Sequence, residues 1–550
     1  MNIGDRLRGF TVGALAAGMP LAVGEFVASL ADRLRSPIVA VGDLLVDVMP
    51  GVVVRASIST LGSAQKPLLL TGIVAVTLAL GGLLCVRMPT RVPAALTTFG
   101  ALGGWAMARS PLASTAGSLL LAFLMVGTGL AVLKGAPRSS GQATDATGPL
   151  EDPRLKYADR RNFLAYAGGM STTAVALVGA GRFISDRSAQ EARAKFELPT
   201  TTAPSTTTAP STTTAPPPTT APSTTTTPPP TTAPSTTTTA PPPTTAAPPS
   251  LPAVDGLDPW ITPNADFYRI DTALTVPIVD PTDWSLTLNG LVAEPVTLTL
   301  DDLLAMDVLD ATVTLACVSN PVGGPLIGNA VWTGVLLTDV LDLVDPLPEA
   351  EQVLAWSVDG FSAGFPLATA VDGRTALVAF GMNGEPLPLA HGFPVRLVVP
   401  GLYGYVSAVK WLSRLELSRF ERDGFWIDKG WSKDAPVKIS SRIDVPAQNR
   451  VEAGTVPVAG VAWYPDVGVA AVEVSVDFGP WQACRLGEAD GPGLEGEAWV
   501  QWLHLWEPEP GRYRIRVRAF GSDGTMQSPE RVAPAPNGAE GYHEISVTVT

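Results

Sequence analysis

Thr314-Leu-Ala-Cys317-Val-Ser-Asn320-Pro-Val-Gly-Gly324 is the stretch on which the reading of this chain turns. A short apolar, β-branched run leads into a cysteine, and the cysteine opens a loop of Asn, Pro and Gly. That order presents a thiol at the end of a strand, on a rigid support. A thiolate is a soft ligand that suits a transition metal. One cysteine does not make a metal site, and no His, Cys or carboxylate cluster in the sequence supplies the missing ligands. A cofactor that brings its own sulfur ligands closes that gap.

The other cysteines, Cys85 and Cys484, fall in regions of different character, so there is no disulfide framework. Both are read as small buried apolar residues. Hydrophobic residues make up 46% of the 550 and charged residues 16%, a balance that comes from an apolar first third and not from one uniformly apolar body. The length has room for several domains. With a net charge of −14 and basic residues grouped only beside apolar stretches, nucleic acid is not expected as a partner.

Five apolar stretches, residues 10–30, 67–86, 92–108, 111–133 and 163–180, approach the roughly 20 residues that cross a bilayer core. The third is short and rich in glycine, and an interfacial helix is its alternative. Lys and Arg gather before the first stretch, between the second and third, and between the fourth and fifth. By the positive-inside rule those segments are cytoplasmic and everything after the fifth span is extracytoplasmic. Segment 31–66, placed outside by the same count, runs against the rule with Arg33, Arg35, Arg55 and Lys66. The three histidines, His391, His504 and His543, all lie beyond the spans, so a haem held by paired histidines within the bundle is not expected. Glu25, the acidic residue of the first span, is read as lying near a helix end. Asp159-Arg160-Arg161-Asn162-Phe163-Leu164 resembles the twin-arginine signal, a route that exports folded, cofactor-loaded proteins. With no clear cleavage site, the segment is expected to remain as an anchor.

Residues 198–250 are almost entirely Thr, Ala, Pro and Ser. Such sequence cannot build a core and is expected to be an extended, disordered stalk of the kind that carries O-linked sugars. At ~3.1 Å per residue, some fifty residues reach on the order of 150 Å, far enough to hold a folded domain away from a membrane. Beyond the stalk, short β-branched runs at 284–289, 296–300, 353–358 and 395–399 alternate with helical patterns at 301–306 and 336–343. This is mixed α+β sequence. From about Ser440 only strand signals follow, at 456–461, 471–478, 499–505, 513–520 and 544–549, the spacing of a β-sandwich.

Several motifs now agree. The Cys317 segment, Ala330-Val-Trp-Thr-Gly-Val-Leu-Leu-Thr-Asp-Val-Leu341, Phe380-Gly-Met-Asn-Gly-Glu-Pro-Leu-Pro388, His391-Gly-Phe-Pro-Val-Arg396 and Pro400-Gly-Leu-Tyr-Gly-Tyr-Val-Ser407 occur in one order, followed by Val409-Lys-Trp411, Gly424-Phe-Trp426 and Gly430-Trp-Ser432. This resembles the molybdopterin-binding domain of the sulfite oxidase family. The final strands resemble the immunoglobulin-like domain that follows it there. The implied architecture is an α-helical transmembrane region (1–185), a disordered Thr/Pro-rich stalk (186–250), an α+β molybdopterin domain (251–438) and an immunoglobulin-like β-sandwich (439–550).

The resemblance implies a molybdenum ion on the dithiolene of one pterin, with Cys317 as its protein ligand. It implies cofactor contacts from Asn264, Phe267 and Tyr268 in Pro263-Asn-Ala-Asp-Phe-Tyr268, from Ser319 and Ser357, from His391 and Arg396, and from Ser407 and Lys410. Arg396 and Lys410 have the chemistry to neutralise a phosphate. Tyr403 and Tyr405 are candidate catalytic proton donors. Trp332, Phe393 and Trp411 are read as core. The activity implied is two-electron oxygen-atom transfer on a small molecule: an oxyanion, a sulfoxide or an N-oxide. Family members that oxidise sulfite place arginines shortly after the cysteine and a tyrosine before Met-Asn-Gly. This chain has Asn320, Pro321 and Val322, and Phe380. Expected partners are the membrane, an external electron carrier or a quinone-linked membrane protein, and a second copy through the C-terminal domain. The alternative is a stalked surface binding module that keeps the fold without the chemistry.

Overall fold

The computed structural model of the chain describes residues 3–31, 34–61, 64–109, 113–137, 153–199, 251–487 and 496–550. The expected stalk from residue 200 onward lies outside the described residues, as do Arg33 and Arg138.

Seven helices form the N-terminal region: α1 Ile3–Ala28, α2 Pro37–Val48, α3 Gly51–Leu61, α4 Gln65–Arg87, α5 Val92–Ala108, α6 Thr115–Gly135 and α7 Pro153–Lys195. In α1, α4, α5 and α6 the apolar residues run all round the helix, as in a membrane span, instead of forming one stripe. Among the described residues, four helical stretches are long and apolar enough to cross a membrane: α1, α4, α6 and the Arg160–Lys195 part of α7. The third expected span, α5, has 17 residues. At 1.5 Å per residue it falls several ångströms short of a ~30 Å hydrocarbon core. It nevertheless joins the two ends of the bundle. Val92 follows the Arg87 end of α4, while Ala106 and Arg109 share a cavity wall with Thr272 and Trp356 of the following domain. Helices α1 and α4 cross backbone to backbone at Gly13 and Gly81, where a Cβ on Gly13 would lie 2.2 Å from the Gly81 carbonyl oxygen. Small residues permit such approach between apolar helices. Glu25 caps the start of α2: its carboxylate accepts from the Ser36 hydroxyl (2.6 Å) and the Ile38 amide (3.2 Å). The helix-end reading of Glu25 therefore has a definite partner.

The mixed region holds ten strands: β1 Ser285–Gly290, β2 Val296–Thr299, β3 Val308–Ala316, β4 Ile327–Leu336, β5 Gln352–Ser357, β6 Ser362–Pro366, β7 Leu377–Met382, β8 Glu385–Pro386, β9 Arg396–Val398 and β10 Leu412–Ser418. One sheet has the order β2-β1-β10-β5-β6, with β1 and β10 parallel; the other runs β3-β4-β7-β8, with β9 also on β7. Strand β1 alternates exposed and buried residues, so it lies half-covered. The run from Ala311 to Ala316 is buried on both faces, which demands cover from each side. A capping box between Thr299 and Asp302 starts the short helix Leu300–Leu304.

The C-terminal strands are β11 Ser440–Val445, β12 Arg450–Val451, β13 Val456–Trp463, β14 Val469–Val476, β15 Gln482–Ala483, β16 Arg485–Leu486, β17 Val500–Trp506, β18 Gly511–Gly521 and β19 His543–Val549. They form sheets β11-β13-β17-β16 and β12-β19-β18-β14-β15. Ile443, Val458 and Trp502 from one sheet meet Val474, Ile515 and Val547 from the other in a single core. Leu251, Val254 and Leu257 pack on this sandwich and not on the mixed domain that the 251–438 boundary assigns them to.

The folded region is seated directly on the helices, where the sequence pointed to a domain held at a distance. Helix α7 runs past residue 185 to Lys195. Arg193 pairs with Glu385 (2.9 Å) and donates to the Pro386 and Leu387 carbonyls, while Phe196 packs edge-on to Phe380 and Phe393. On the opposite flank Lys429 donates to the Asp47 carbonyl (3.2 Å), and Lys66 pairs with Asp271 (2.5 Å).

Candidate cofactor site

Strand β3 ends at Ala316, and the loop after it is closed on itself. The Cys317 amide donates to the Leu326 carbonyl (3.0 Å), the Asn320 amide to the Cys317 carbonyl (3.0 Å), and the Leu326 amide to Asn320 Oδ1 (2.9 Å). Gly323, at φ +76°, lets the loop press against His543, whose ring a Cβ there would meet at 2.2 Å. The Cys317 thiol is 8% exposed, 2.9 Å from the Ser319 hydroxyl. Burial pushes its pKa up, and the hydrogen bond to Ser319 opposes this in part.

Cys317 faces a cavity whose wall carries eight of the residues proposed from sequence: Phe267, Tyr268, Cys317, Ser319, Ser357, Arg396, Tyr405 and Lys410. These come from four separate stretches of chain. Tyr268 stacks on Phe267, with ring centroids 5.3 Å apart. Trp411, read as core, also lines the cavity; its indole nitrogen donates to the Leu389 carbonyl (3.0 Å). It sits at φ +50°, an uncommon backbone state for a bulky residue. Trp332 and Phe393 are buried, as a core role requires.

Four proposed residues lie off that wall. His391 is behind it, packed edge-on to Phe267 at 5.6 Å. The Ser407 hydroxyl donates to the Tyr403 carbonyl (3.1 Å), so it tethers its own turn. The Asn264 side chain donates to Glu385 Oε1 (2.6 Å) and accepts from Asn383 Nδ2 (2.8 Å), tying the Pro263–Tyr268 segment to β8. Tyr403 lines a different cavity, between this domain and the sandwich, in company with Asn320, Lys438 and Arg442. Tyr405 does reach the first cavity, but its hydroxyl donates to the Ser432 carbonyl.

The electrostatics of the cavity are unusual. Arg396 is 3% exposed and Lys410 8%. Arg396 donates to the His391 carbonyl (3.1 Å) and lies over the Trp332 ring (4.7 Å), and no carboxylate pairs with it among the described residues. Burial draws its pKa down to about 10. Lys410 donates to Asp271 (3.2 Å) and to the Ala390 carbonyl (3.1 Å). Burial outweighs Asp271 and lowers its amine to about 7. Burial also raises the Asp271 carboxyl, but Lys410, Lys66 and Arg269 together outweigh it and hold it well below the usual carboxylate range. His391 Nδ1 is buried with no hydrogen-bond partner among the described residues. Buried cations in excess of carboxylates are costly unless an anion joins them. The cavity thus fits an anionic, polar group reaching a soft-metal ligand at Cys317. No group of three or more His, Cys, Asp or Glu is placed to hold a metal among the described residues, so the metal's other ligands must come with the group.

Sequence reading missed Asp271, Arg269 and Lys66. Asp271 carries no motif, and Lys66 lies more than two hundred residues away on another region.

Burial, aided by Lys410 and Arg396, draws the His391 pKa down to about 3; burial, aided by Arg442 and Arg531, draws that of His543 to about 4. The unfolded chain binds these protons near pH 6.5, as unperturbed histidines do. Below pH 6.5 it therefore binds more protons than the folded chain, and stability falls as pH falls. The cofactor-free protein is expected to lose on the order of a few kcal/mol between pH 6.5 and 4. Urea titrations across that range check this, and His391→Gln with His543→Gln should flatten the slope. An unchanged slope in the double variant refutes the assignment.

A strand-end thiol facing a cavity with buried cations has the chemistry to hold a metal through one cysteine together with an anionic organic cofactor. The comparisons agree. The sequence profile described as oxidoreductase molybdopterin binding domain matches residues 273–426. Sulfite oxidase of Arabidopsis thaliana is 32% identical over 288 residues, covering 43% of this chain and 72% of that protein. Human mitochondrial sulfite oxidase is 31% identical over 341 residues, and this chain spans 62% of its length. Among solved structures, the sulfane dehydrogenase SoxCD from Paracoccus pantotrophus is similar at a TM-score of 0.45 and 24% identity, covering 54% of this chain and 82% of that one. The chain belongs to the sulfite oxidase family, and its cofactor is molybdenum-molybdopterin. Cys317, Arg396 and Lys410 line one cavity and have the chemistry that such a cofactor would need.

Proposed function

We propose that the chain is a membrane-anchored, extracytoplasmic oxidoreductase acting on a small sulfoxide or N-oxide. The observation that carries this reading is the shared cavity, where the Cys317 thiol and the two buried cations meet beneath an apolar, aromatic mouth. The bound molybdenum supplies two-electron oxygen-atom transfer, while the chain binds, orients and excludes water. With Arg396 and Lys410 committed to the cofactor's phosphate, the rest of the wall adds no cation: it includes the apolar Ile270, Phe361, Trp426 and Trp431 and the carboxylates of Asp271 and Asp359, which suits a neutral substrate better than an oxyanion. The Asn320-Pro321-Val322 segment faces the second cavity and adds no cation beside Cys317. The Trp431 indole N–H is buried without an acceptor among the described residues. An S–O or N–O oxygen would satisfy it.

In reduction, the substrate's S–O or N–O bond breaks, two electrons arrive from a separate carrier or quinone-linked partner, and the oxygen leaves as water with two protons. Twin-arginine export of the loaded domain, retention by the helices and pairing through the C-terminal sandwich complete the proposal. The test is a screen of sulfoxides and N-oxides with a reduced artificial electron donor, and of sulfite with an oxidised artificial acceptor. A neutral S-oxide or N-oxide should exceed sulfite in kcat/KM by about a hundredfold or more, because a site built for one polarity leaves the other unpaired. Trp431→Phe keeps the ring, removes the donor and should raise KM about tenfold, the value of one lost hydrogen bond. A preference for sulfite overturns the substrate reading. A folded, matured wild-type protein without molybdenum overturns the enzyme reading in favour of a binding module.

A further inference from the structure

Of the basic residues in segment 31–66 that ran against the positive-inside pattern, two have identifiable partners. Arg35 pairs with Asp43 on α2 (3.0 Å). Lys66, in the first turn of α4, leaves the helical region altogether. Its ammonium donates to Asp271 Oδ1 (2.5 Å) and to the Ala273 carbonyl (2.7 Å). The other oxygen of the same carboxylate accepts from Lys410 (3.2 Å) and from Arg269 Nε (2.8 Å). Asp271 is 5% exposed at its side chain and lines the cofactor cavity with Lys410 and Arg396. One buried carboxylate is therefore shared between a cation of the helical region and a cation of the cofactor site.

The charge arithmetic gives Lys66 a role. Arg269, Lys410 and Arg396 carry three positive charges against one on Asp271, and Asp271 draws mainly on Lys410. Lys66 engages the opposite oxygen, so Asp271 neutralises less of the Lys410 charge. The net charge of the cluster rises from +2 to +3, facing a phosphate that is close to dianionic near neutral pH. Leu274, three residues after Asp271, packs its side chain against Gly42 of α2, where a Cβ would lie 2.4 Å away. This second contact fixes the Asp271 segment on the helices independently of the ion pair.

We propose that the helical region is part of the cofactor site: Lys66 is a positioning residue that holds Asp271 and so reserves Lys410 for the cofactor's phosphate. The contact of the Asp271 segment with α4, and not docking in general, then controls how tightly the cofactor is held. The proposal rests on the assignment of the cavity to a phosphate-bearing molybdenum cofactor.

The test uses the full chain in detergent and reads retained molybdenum, and pterin by fluorescence after oxidative release, over time during dialysis at rising salt. Wild type should begin near one molybdenum per chain. Lys66→Met should lose molybdenum and pterin together about tenfold faster, and Lys66→Arg should hold them as wild type does. Lys66→Met combined with Asp271→Asn should recover most of the loss, since the carboxylate that competes for Lys410 is gone; a merely structural Lys66 would not be rescued this way. Arg193→Met breaks a seat on the far flank and should leave retention unchanged. Equal retention in Lys66→Met and wild type overturns the proposal. So does equal loss in Arg193→Met, which would make docking alone responsible. Absence of molybdenum from the wild type fails the cofactor assignment itself, a result distinct from either.

Discussion

Cys317→Ser is expected to leave a folded chain whose turnover is lowered at least about a thousandfold, the scale of a lost essential catalytic group. Serine is the smallest change available, and the loop is held by backbone bonds from Cys317 to Leu326 and from Asn320 to Cys317 that the substitution does not touch. Burial of the thiol is nearly complete, so the variant loses little packing. What changes is the ligand: a hydroxyl is hard and protonated near neutral pH, whereas a thiolate is soft and stabilised by the metal. The pterin is expected to stay, because the contacts proposed for Arg396 and Lys410 with its phosphate are independent of sulfur. Pterin retained with activity lost, in a chain whose thermal midpoint matches wild type within a few degrees, is the signature. Activity near wild type would end the single-thiolate reading.

Arg396→Met is expected to act with the opposite balance, sparing the cofactor-free fold and emptying the site. In the cofactor-free chain this guanidinium is buried with backbone carbonyls and the Trp332 ring for company. Replacing a buried charge that lacks a counter-charge with an apolar side chain of similar length is close to neutral, because the desolvation cost disappears with the charge. Denaturation of the cofactor-free variant should therefore match wild type within about 1 kcal/mol. With cofactor, a charge-assisted contact of about 2–3 kcal/mol is lost, and cofactor retention should fall by roughly a hundredfold. Metal analysis alongside urea titration separates the two effects. A variant that unfolds yet retains cofactor would show that Arg396 is structural.

The two variants also show why single residues could be read from sequence. Cys317, Arg396 and Lys410 each sit in a short motif whose backbone partners are local, so residue type and spacing carry the information. The loop from Cys317 to Leu326 closes within ten residues of chain. The strands β1 and β2 and the two short helices at Leu300–Leu304 and Leu337–Asp342 were legible for the same reason: their hydrophobic periodicity is a local property. Strand β3 was only partly legible, because it is buried on both faces and has no alternation to read.

Side-chain direction was the first thing local sequence did not settle. Tyr403 and Tyr405 lie two residues apart in one motif, yet they line different cavities, since the turn Gly404–Ser407 sends them to opposite sides. Asn264 and Ser407 belong to the right segments, but their side chains are spent on Glu385, Asn383 and the Tyr403 carbonyl, holding backbone in place.

The sequence by itself determined the class: an apolar helical region, a Thr/Pro-rich interval without core-forming residues, and a mixed domain in which Cys317 and two cations recur in a family's order. These follow from composition and short-range spacing, which survive in one dimension. Only the tertiary structure decided that the domain sits on the helices and that Lys66 reaches Asp271 across more than two hundred residues. An ion pair of that kind leaves no periodicity and no motif. It exists only where folding has buried both partners together, and there it joins the helical region to the cavity that holds Cys317.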